Sequence, residues 1–379
     1  MPSDRDIYLD YSASAPLSVV AQAAVEELLF AGPGNPSSIH RHGQEARERV
    51  ETARDEVAAA IGAEPSEIVF TSGATEANAL AWSGATRATP HHRAVTTAVE
   101  HPSNLLAARS LRDWHVDLCP VDGKGRLDRA AFAELIGARC GFVSAMVVNN
   151  ETGVVFPVDK LAGCARAAGA VFHCDATQAL GRLPIDVQAW DVDLLSISGH
   201  KAGALPGVGA LYVRYGTALS AIISGHQEDG LRGGTENIAG IVSFGAAMAE
   251  IPRRIEDMAR QRELRNMLRD GLMERIEGTR LNTAVPHGEE TGHILNVSFE
   301  GIAGQLVVIA LDVEGIAVSS GAACASGTVE ASHVLTAMGD ERAIEAVRFS
   351  MGLQTSAAEI EETVDVVEKV VARIRLQEY

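Results

Sequence analysis

Apolar and polar positions along the chain switch between two periods. Short apolar runs at 67–71 (EIVFT), 94–99, 116–120, 141–148, 170–174, 193–197 and 207–213 read as strands. Stretches at 77–84, 103–112, 129–136 and 159–168 lie between them and have the three-and-four spacing of helices. This strand–helix rhythm predicts a mostly parallel sheet covered by helices on both faces. Ahead of it come an entry strand at 7–11, a helix at 17–30, the tight loop GPGNPSS at 32–38, and a long helix over 40–61 with charge pairs four residues apart on its wet face. Beyond it, 238–249 reads as a helix and 252–277 as one long charged helix able to join two domains. The last hundred or so residues change character: a strand at 294–299, a helix at 305–313, a short helix before Met338, a strand at 347–351 and a terminal helix at 357–375 make a small α/β unit.

Length fits that division, because 379 residues exceed what one compact core holds. No apolar run is long enough to cross a bilayer, and the start MPSDRDIYLD has no secretory character, so a cytoplasmic protein is expected. The formal charge of −18, from 32 basic and 50 acidic side chains, opposes direct binding of nucleic acid or an anionic membrane. Five cysteines, Cys119, Cys140, Cys164, Cys174 and Cys324, are widely spaced without a C-x-x-C pair, which argues against a disulfide framework or a zinc knuckle. Four sit in apolar or strand-like contexts, whereas Cys324 lies among small residues in SSGAACASG. His40 and His42 are two apart, a poor spacing for ligands on one helix face, and no metal site is expected.

Lys201 carries the first chemical signal. It stands in a Ser-Gly-His-Lys turn between two strands, where a desolvated amine condenses readily with an aldehyde. A lone turn of this kind is more often a solvated lysine, so the weight rests on its company. In parallel sheets ligands gather at the carboxyl ends of the strands. Glu100 and His101, Asn150, Asp175 and Gln178, and Ser198, His200 and Lys201 all follow directly after expected strands and are expected to share one rim. At 72–76 a strand passes through a glycine turn into a helix start, which suits a phosphate, with the Thr75 hydroxyl as an extra donor; a plain Ser or Thr helix cap fits equally well. The chain has neither a G-x-G-x-x-G opening a helix after a strand nor a G-x-x-x-x-G-K-[ST], so dinucleotides and nucleoside triphosphates are disfavoured. The segment 225–237 (GHQEDGLRGGTEN) is too polar and glycine-rich to be a core element.

With these pieces in order, the chain resembles the NifS/IscS-like cysteine desulfurases of the class V aminotransferase group. The resemblance runs from YLDYSASAP through GNPSS, VFTSGATEAN, VEH, VNNETGVV, HCDATQALGRLPID, SISGHK, RGGTEN, ILNVSF and SSGAAC to VRFSMG. It implies a fold type I pyridoxal-phosphate enzyme, α/β, with a large cofactor-binding domain over 12–250 built on a mostly parallel seven-stranded sheet between helices. A smaller α/β domain, from 1–11 and 251–379, would carry the cysteine loop. By resemblance Lys201 holds pyridoxal 5'-phosphate, Asp175 pairs with its ring nitrogen, His101 lies over the ring and handles protons, and Asn150 and Gln178 bond the ring hydroxyl. Thr75, Ser198 and His200 would hold the phosphate, with Thr235 reaching the phosphate of the neighbouring subunit of a homodimer. Arg348 would grip the carboxylate of L-cysteine as a planar fork, and Asn35 would join it; for Arg348 a plain salt bridge is the competing reading. The Cys324 thiolate would take the substrate sulfur as a persulfide, releasing alanine, and pass it to an acceptor protein.

Two departures stand out. After Lys201 the chain reads AGALPG where the family usually has a Gly-Pro-Lys-Gly step, and SASAP replaces Ala-Thr-Thr-Pro, leaving Ser14 and Ala15 where two hydroxyls are usual. The rival within the fold is a selenocysteine lyase or another class V enzyme, against which Cys324 speaks. A scaffold protein that has lost its chemistry is opposed by Lys201, Asp175, His101 and Cys324 together.

Overall fold

A computed structural model describes residues 5–32, 34–137, 139–320 and 331–377; Cys324 lies outside the described residues. A seven-stranded sheet is the centre of the larger part. Its order is Ile68–Thr71, Gly209–Val213, Leu194–Ser198, Val171–Asp175, Phe142–Met146, Arg93–Thr97, His115–Cys119. Six strands point one way, and Gly209–Val213 runs antiparallel to both of its neighbours. This is the mostly parallel sheet that the strand–helix rhythm predicts. Phe142–Met146 and Leu194–Ser198 bury every residue, as strands covered on both faces must. His173 lies inside the sheet, fully buried, its two ring nitrogens each 2.9 Å from the hydroxyls of Ser144 and Ser196. Burial drives its pKa down to about 4, so a neutral ring bridges the two hydroxyls.

Helix Arg41–Ile61 turns Gly43, Ala46, Val50, Ala53, Val57 and Ile61 inward at steps of three and four, leaving its charges in water. It packs on helix Ile238–Met248 so closely that a Cβ on Gly245 would come within 2.6 Å of the Ala53 Cα. A second core forms over the antiparallel sheet Ser319–Ser320, Ala346–Ser350, Ile294–Phe299, Thr279–Leu281. Leu264, Leu268 and Leu272 from one helix and Val364, Val367 and Val371 from the terminal helix fill it, together with Ile7 and Leu9. Residues Val334, Leu335 and Met338 belong instead to the core of the large sheet.

Two expectations need correction. The expected single helix over 252–277 is two, Ile251–Glu256 and Met258–Arg275, divided at Asp257, whose carboxylate accepts hydrogen bonds from Arg260 and Gln261. The entry strand is only Ile7–Tyr8, paired in parallel with Ile316–Ala317. After a single bridge from Asp10 to Ser350 the chain leaves the second core and crosses to the large sheet, where the Ala15 N–H donates to the His200 carbonyl at 2.9 Å.

Candidate active site

That crossing segment meets the lysine. Lys201 stands in the short Gly199–Lys201 helical turn that follows strand Leu194–Ser198, and its Nζ donates to the Ser12 and Ala13 carbonyls at 2.6 and 2.7 Å. Below it opens a cavity of about 660 Å³ lined by Lys201, His101, Thr75, Asn150, Asp175, Gln178, Ser198, His200 and Arg348. Nine residues singled out in the sequence thus share one wall system, although they are spread over more than 270 positions.

Asp175 ends strand Val171–Asp175 and is 5 % exposed. Its Oδ1 accepts from the Thr177 N–H at 3.0 Å, the local cap that a strand-end aspartate often makes. Its Oδ2 accepts from Asn78 and Asn104 at 2.8 and 3.1 Å, so the carboxylate is also oriented from behind. Around it, the side-chain oxygens of Asn78, Asn150 and Gln178 line or adjoin the cavity, buried and with no hydrogen-bond partner among the described residues. Unpaired buried acceptors are uncommon and point to a ligand that supplies donors.

The Gly73 end of the cavity is built by backbone. Strand Ile68–Thr71 runs through Gly73, at φ +153°, into helix Ala74–Ala88, whose first N–H groups lack intrahelical partners. A Cβ on Gly73 would meet nothing closer than the Ser198 hydroxyl at 3.9 Å, so it would project toward the cavity. Glu76 stands on the same turn. Burial pushes its carboxyl up, but hydrogen bonds from Arg232 and Ser72 outweigh this and hold it below the usual range. His200 is driven down to about 4 by burial and then by the Lys201 charge; its Nδ1 is 3.3 Å from the Ser14 hydroxyl.

His101 caps helix Pro102–Ser110, its Nδ1 accepting from the Ser103 N–H at 3.1 Å. With Nδ1 occupied, the neutral ring carries its proton on Nε2. Burial lowers its pKa, Asp175 opposes that, and the charges of Lys201 and His333 reinforce it. Arg348, in strand Ala346–Ser350, is 4 % exposed; it donates to the Asn150 carbonyl and to Asp10 Oδ1, each at 2.8 Å, while its buried Nε has no partner among the described residues.

Some expected members stand elsewhere. Glu100 is not on the rim; it is fully buried behind the wall, because its carboxyl accepts from Thr97, Asn104 and Met146. Thr235 and Asn35 are exposed and outside the lining, with the Asn35 side chain accepting from the Ser37 N–H at 2.9 Å. Cys324 falls outside the described residues. Sequence reasoning passed over Asn78, Asn104, Glu151 and His333; an asparagine at the inward position of an apolar helix is the signal that marks the first two.

Comparison with known proteins agrees with this geometry. The family described as aminotransferase class V matches residues 7–363. A cysteine desulfurase of Enterobacter agglomerans is 40 % identical over 378 residues, covering 98 % of this chain and 94 % of its own. A solved NifS-like protein superposes with a TM-score of 0.90 at 31 % identity, covering 97 % of this chain and 99 % of its own. The structure of SspA in complex with cysteine gives a TM-score of 0.79 at 31 % identity, covering 91 % and 99 %. The chain belongs to the class V aminotransferase family, in its NifS-like cysteine desulfurase branch.

Proposed function

We propose that the protein is a pyridoxal-phosphate-dependent cysteine desulfurase, converting L-cysteine to L-alanine and passing the sulfur, as a persulfide on Cys324, to an acceptor protein. The observation that carries this reading is the meeting of Lys201, Asp175 and three unpaired amide oxygens on one cavity, in a chain of this family. When bound, pyridoxal phosphate supplies the electron sink that labilises bonds at the substrate α-carbon.

The chain's own residues divide the rest of the work. Lys201, whose Nζ donates to the Ser12 and Ala13 carbonyls, would hold the cofactor through its aldehyde, with loss of water, and would move the substrate α-proton. Asp175 would pair with the ring nitrogen, and the side-chain amides of Asn150 and Gln178 would hydrogen-bond the ring hydroxyl. Gly73, Thr75, Ser198 and His200 take the phosphate at the helix start. Neutral His101, with its proton on Nε2, would exchange protons with the bound cofactor and substrate. Arg348 takes the substrate carboxylate. Cys324 attacks the substrate sulfur as a thiolate. Thr235, away from this cavity in a single chain, would reach the phosphate of the neighbouring subunit of a homodimer, and Asn35 would join Arg348 in substrate binding. Domains over 12–250 and over 1–11 with 251–379, and a cytoplasmic location, complete the proposal. The charge of −18 favours an acceptor with a basic face.

Alanine and sulfide released from L-cysteine by the wild type and by Cys324→Ser, in a reducing assay, test the reading. Desulfuration falling to background in the variant, with the cofactor still bound, is expected; undiminished turnover removes the role of Cys324.

A further inference from the structure

Glu100 has no solvent exposure and no part in the chemistry described above. Three donors converge on it: Thr97 Oγ1 and the Met146 N–H on Oε1 at 2.7 and 2.9 Å, and Asn104 Nδ2 on Oε2 at 3.2 Å. The same Asn104 Nδ2 reaches Asp175 Oδ2 at 3.1 Å, and Asn104 Oδ1 accepts from Trp82 Nε1 at 3.1 Å. One amide NH2 group thus spans two carboxyl groups while the indole N–H fixes which end is which. Beyond Asp175, Asn78 Nδ2 donates to Asp175 Oδ2 at 2.8 Å and to Ser103 Oγ at 2.9 Å, and that hydroxyl lies 2.7 Å from His101 Nδ1. A continuous chain of side chains therefore runs from Glu100 through Asn104, Asp175, Asn78 and Ser103 to His101.

We propose that Glu100, acting through Asn104, is a positioning residue for Asp175: together with the Trp82 indole it holds the Asn104 amide in place and so keeps the Asp175 carboxylate in the orientation that the cofactor ring nitrogen requires. This rests on the assignment of Asp175 made above. A carboxyl group buried without a counter-cation is costly as an anion. Burial, with the charge of Asp175 added, raises Glu100 to about 8 against the pull of the Met146, Thr97 and Asn104 donors. Its titratable neighbours are Asp175, the adjoining His101, the buried Cys174, and His333, whose Nε2 is 2.9 Å from the Glu100 carbonyl.

Glu100→Gln discriminates between positioning and mere core filling. Glutamine occupies the same space, but its NH2 must face either the Met146 N–H or the Asn104 NH2, donor against donor, and the second case turns Asn104 away from Asp175. Thr97→Val leaves Glu100 in place with one donor fewer. The measurements are the pH titration of the visible chromophore of the holoenzyme and the dissociation constant for added pyridoxal phosphate. In Glu100→Gln the titration midpoint moves and cofactor binding weakens about tenfold, the size of one buried hydrogen bond; Thr97→Val shifts both in the same direction by less. Wild-type titration and affinity in both variants, even with lowered thermal stability, overturn the inference and leave the functional reading intact. If Glu100→Gln does not fold, Thr97→Val decides by the same two readouts. A wild-type protein that forms no chromophore with the cofactor overturns the functional reading and this inference with it.

Discussion

Arg348 and Asp10 are paired beside the second core's sheet, with a terminal guanidinium nitrogen donating to the Asp10 carboxylate at 2.8 Å. Before any ligand arrives the arginine is already held on both of its terminal nitrogens, the second by the Asn150 carbonyl. The salt bridge that competed with the carboxylate-binding reading is therefore present, and it leaves the same guanidinium on the cavity lining. An arginine fixed in advance loses little freedom when it takes a carboxylate.

Arg348→Ala raises the KM for L-cysteine on the order of 100-fold, with a smaller change in kcat. Arg348→Lys restores only a small part, because an ammonium is a point charge without a fork. Steady-state kinetics separate the two parameters. An unchanged KM in Arg348→Ala rules out the contact.

Glu151 is 2 % exposed, and burial lifts its carboxyl to about 7 against the pull of Ser332 and Arg348. The folded chain keeps this proton in a range where the unfolded chain, with a glutamate near its ordinary value of about 4.3, has released it. Stability from this group is thus lost as the pH rises from about 4.3 to about 7. Relative to the wild type, Glu151→Gln gains stability across that window, on the order of 1–3 kcal/mol, while His333 at 3.9 Å is common to both proteins. Thermal melts of the pair at pH 5 and pH 8 measure it; a pH-independent difference contradicts the burial argument.

Glu228 anchors the 225–237 segment from inside. Its two oxygens take both terminal nitrogens of Arg54 at 2.8 and 2.9 Å, and Oε2 also accepts from the Phe70 N–H at 2.8 Å. With the glutamate side chain 3 % exposed, Glu228→Ala leaves the half-buried Arg54 with Glu51 as its remaining counter-charge and takes the acceptor from the Phe70 N–H, at a cost of about 2 kcal/mol. Urea denaturation reads this directly, and a loss below about 1 kcal/mol, the range of a surface pair, contradicts it.

Gly73→Ala tests the phosphate end. The backbone at φ +153° disfavours a side chain, and the added methyl has only the Ser198 hydroxyl within 4 Å, so the methyl enters the cavity rather than the core. The chain folds, with a loss on the order of 1–3 kcal/mol, and binds pyridoxal phosphate about tenfold more weakly or worse. Equilibrium dialysis with the cofactor measures the second effect; wild-type affinity places the phosphate elsewhere.

Much of the architecture is legible from the residues because its strands are short and apolar on both faces and its helices have inward stripes, as in 41–61. The rim residues are legible for a topological reason: whatever follows a strand in a parallel sheet arrives at one edge. What is not legible arises from tertiary geometry. Glu100 and His101 are neighbours in the chain, yet one is sealed behind the wall and the other lines it. Asp257 looks like any helical aspartate, and only its bonds to Arg260 and Gln261 mark the division between two helices. The Ser12 and Ala13 carbonyls that receive Lys201 are main-chain atoms that no side-chain pattern announces.

The central claim is that the Lys201 amine carries the cofactor. Borohydride reduction of the holoenzyme followed by peptide mapping tests it most directly: a pyridoxyl group on the peptide containing Lys201 is the predicted result, and a label on another peptide, or on none, contradicts the account.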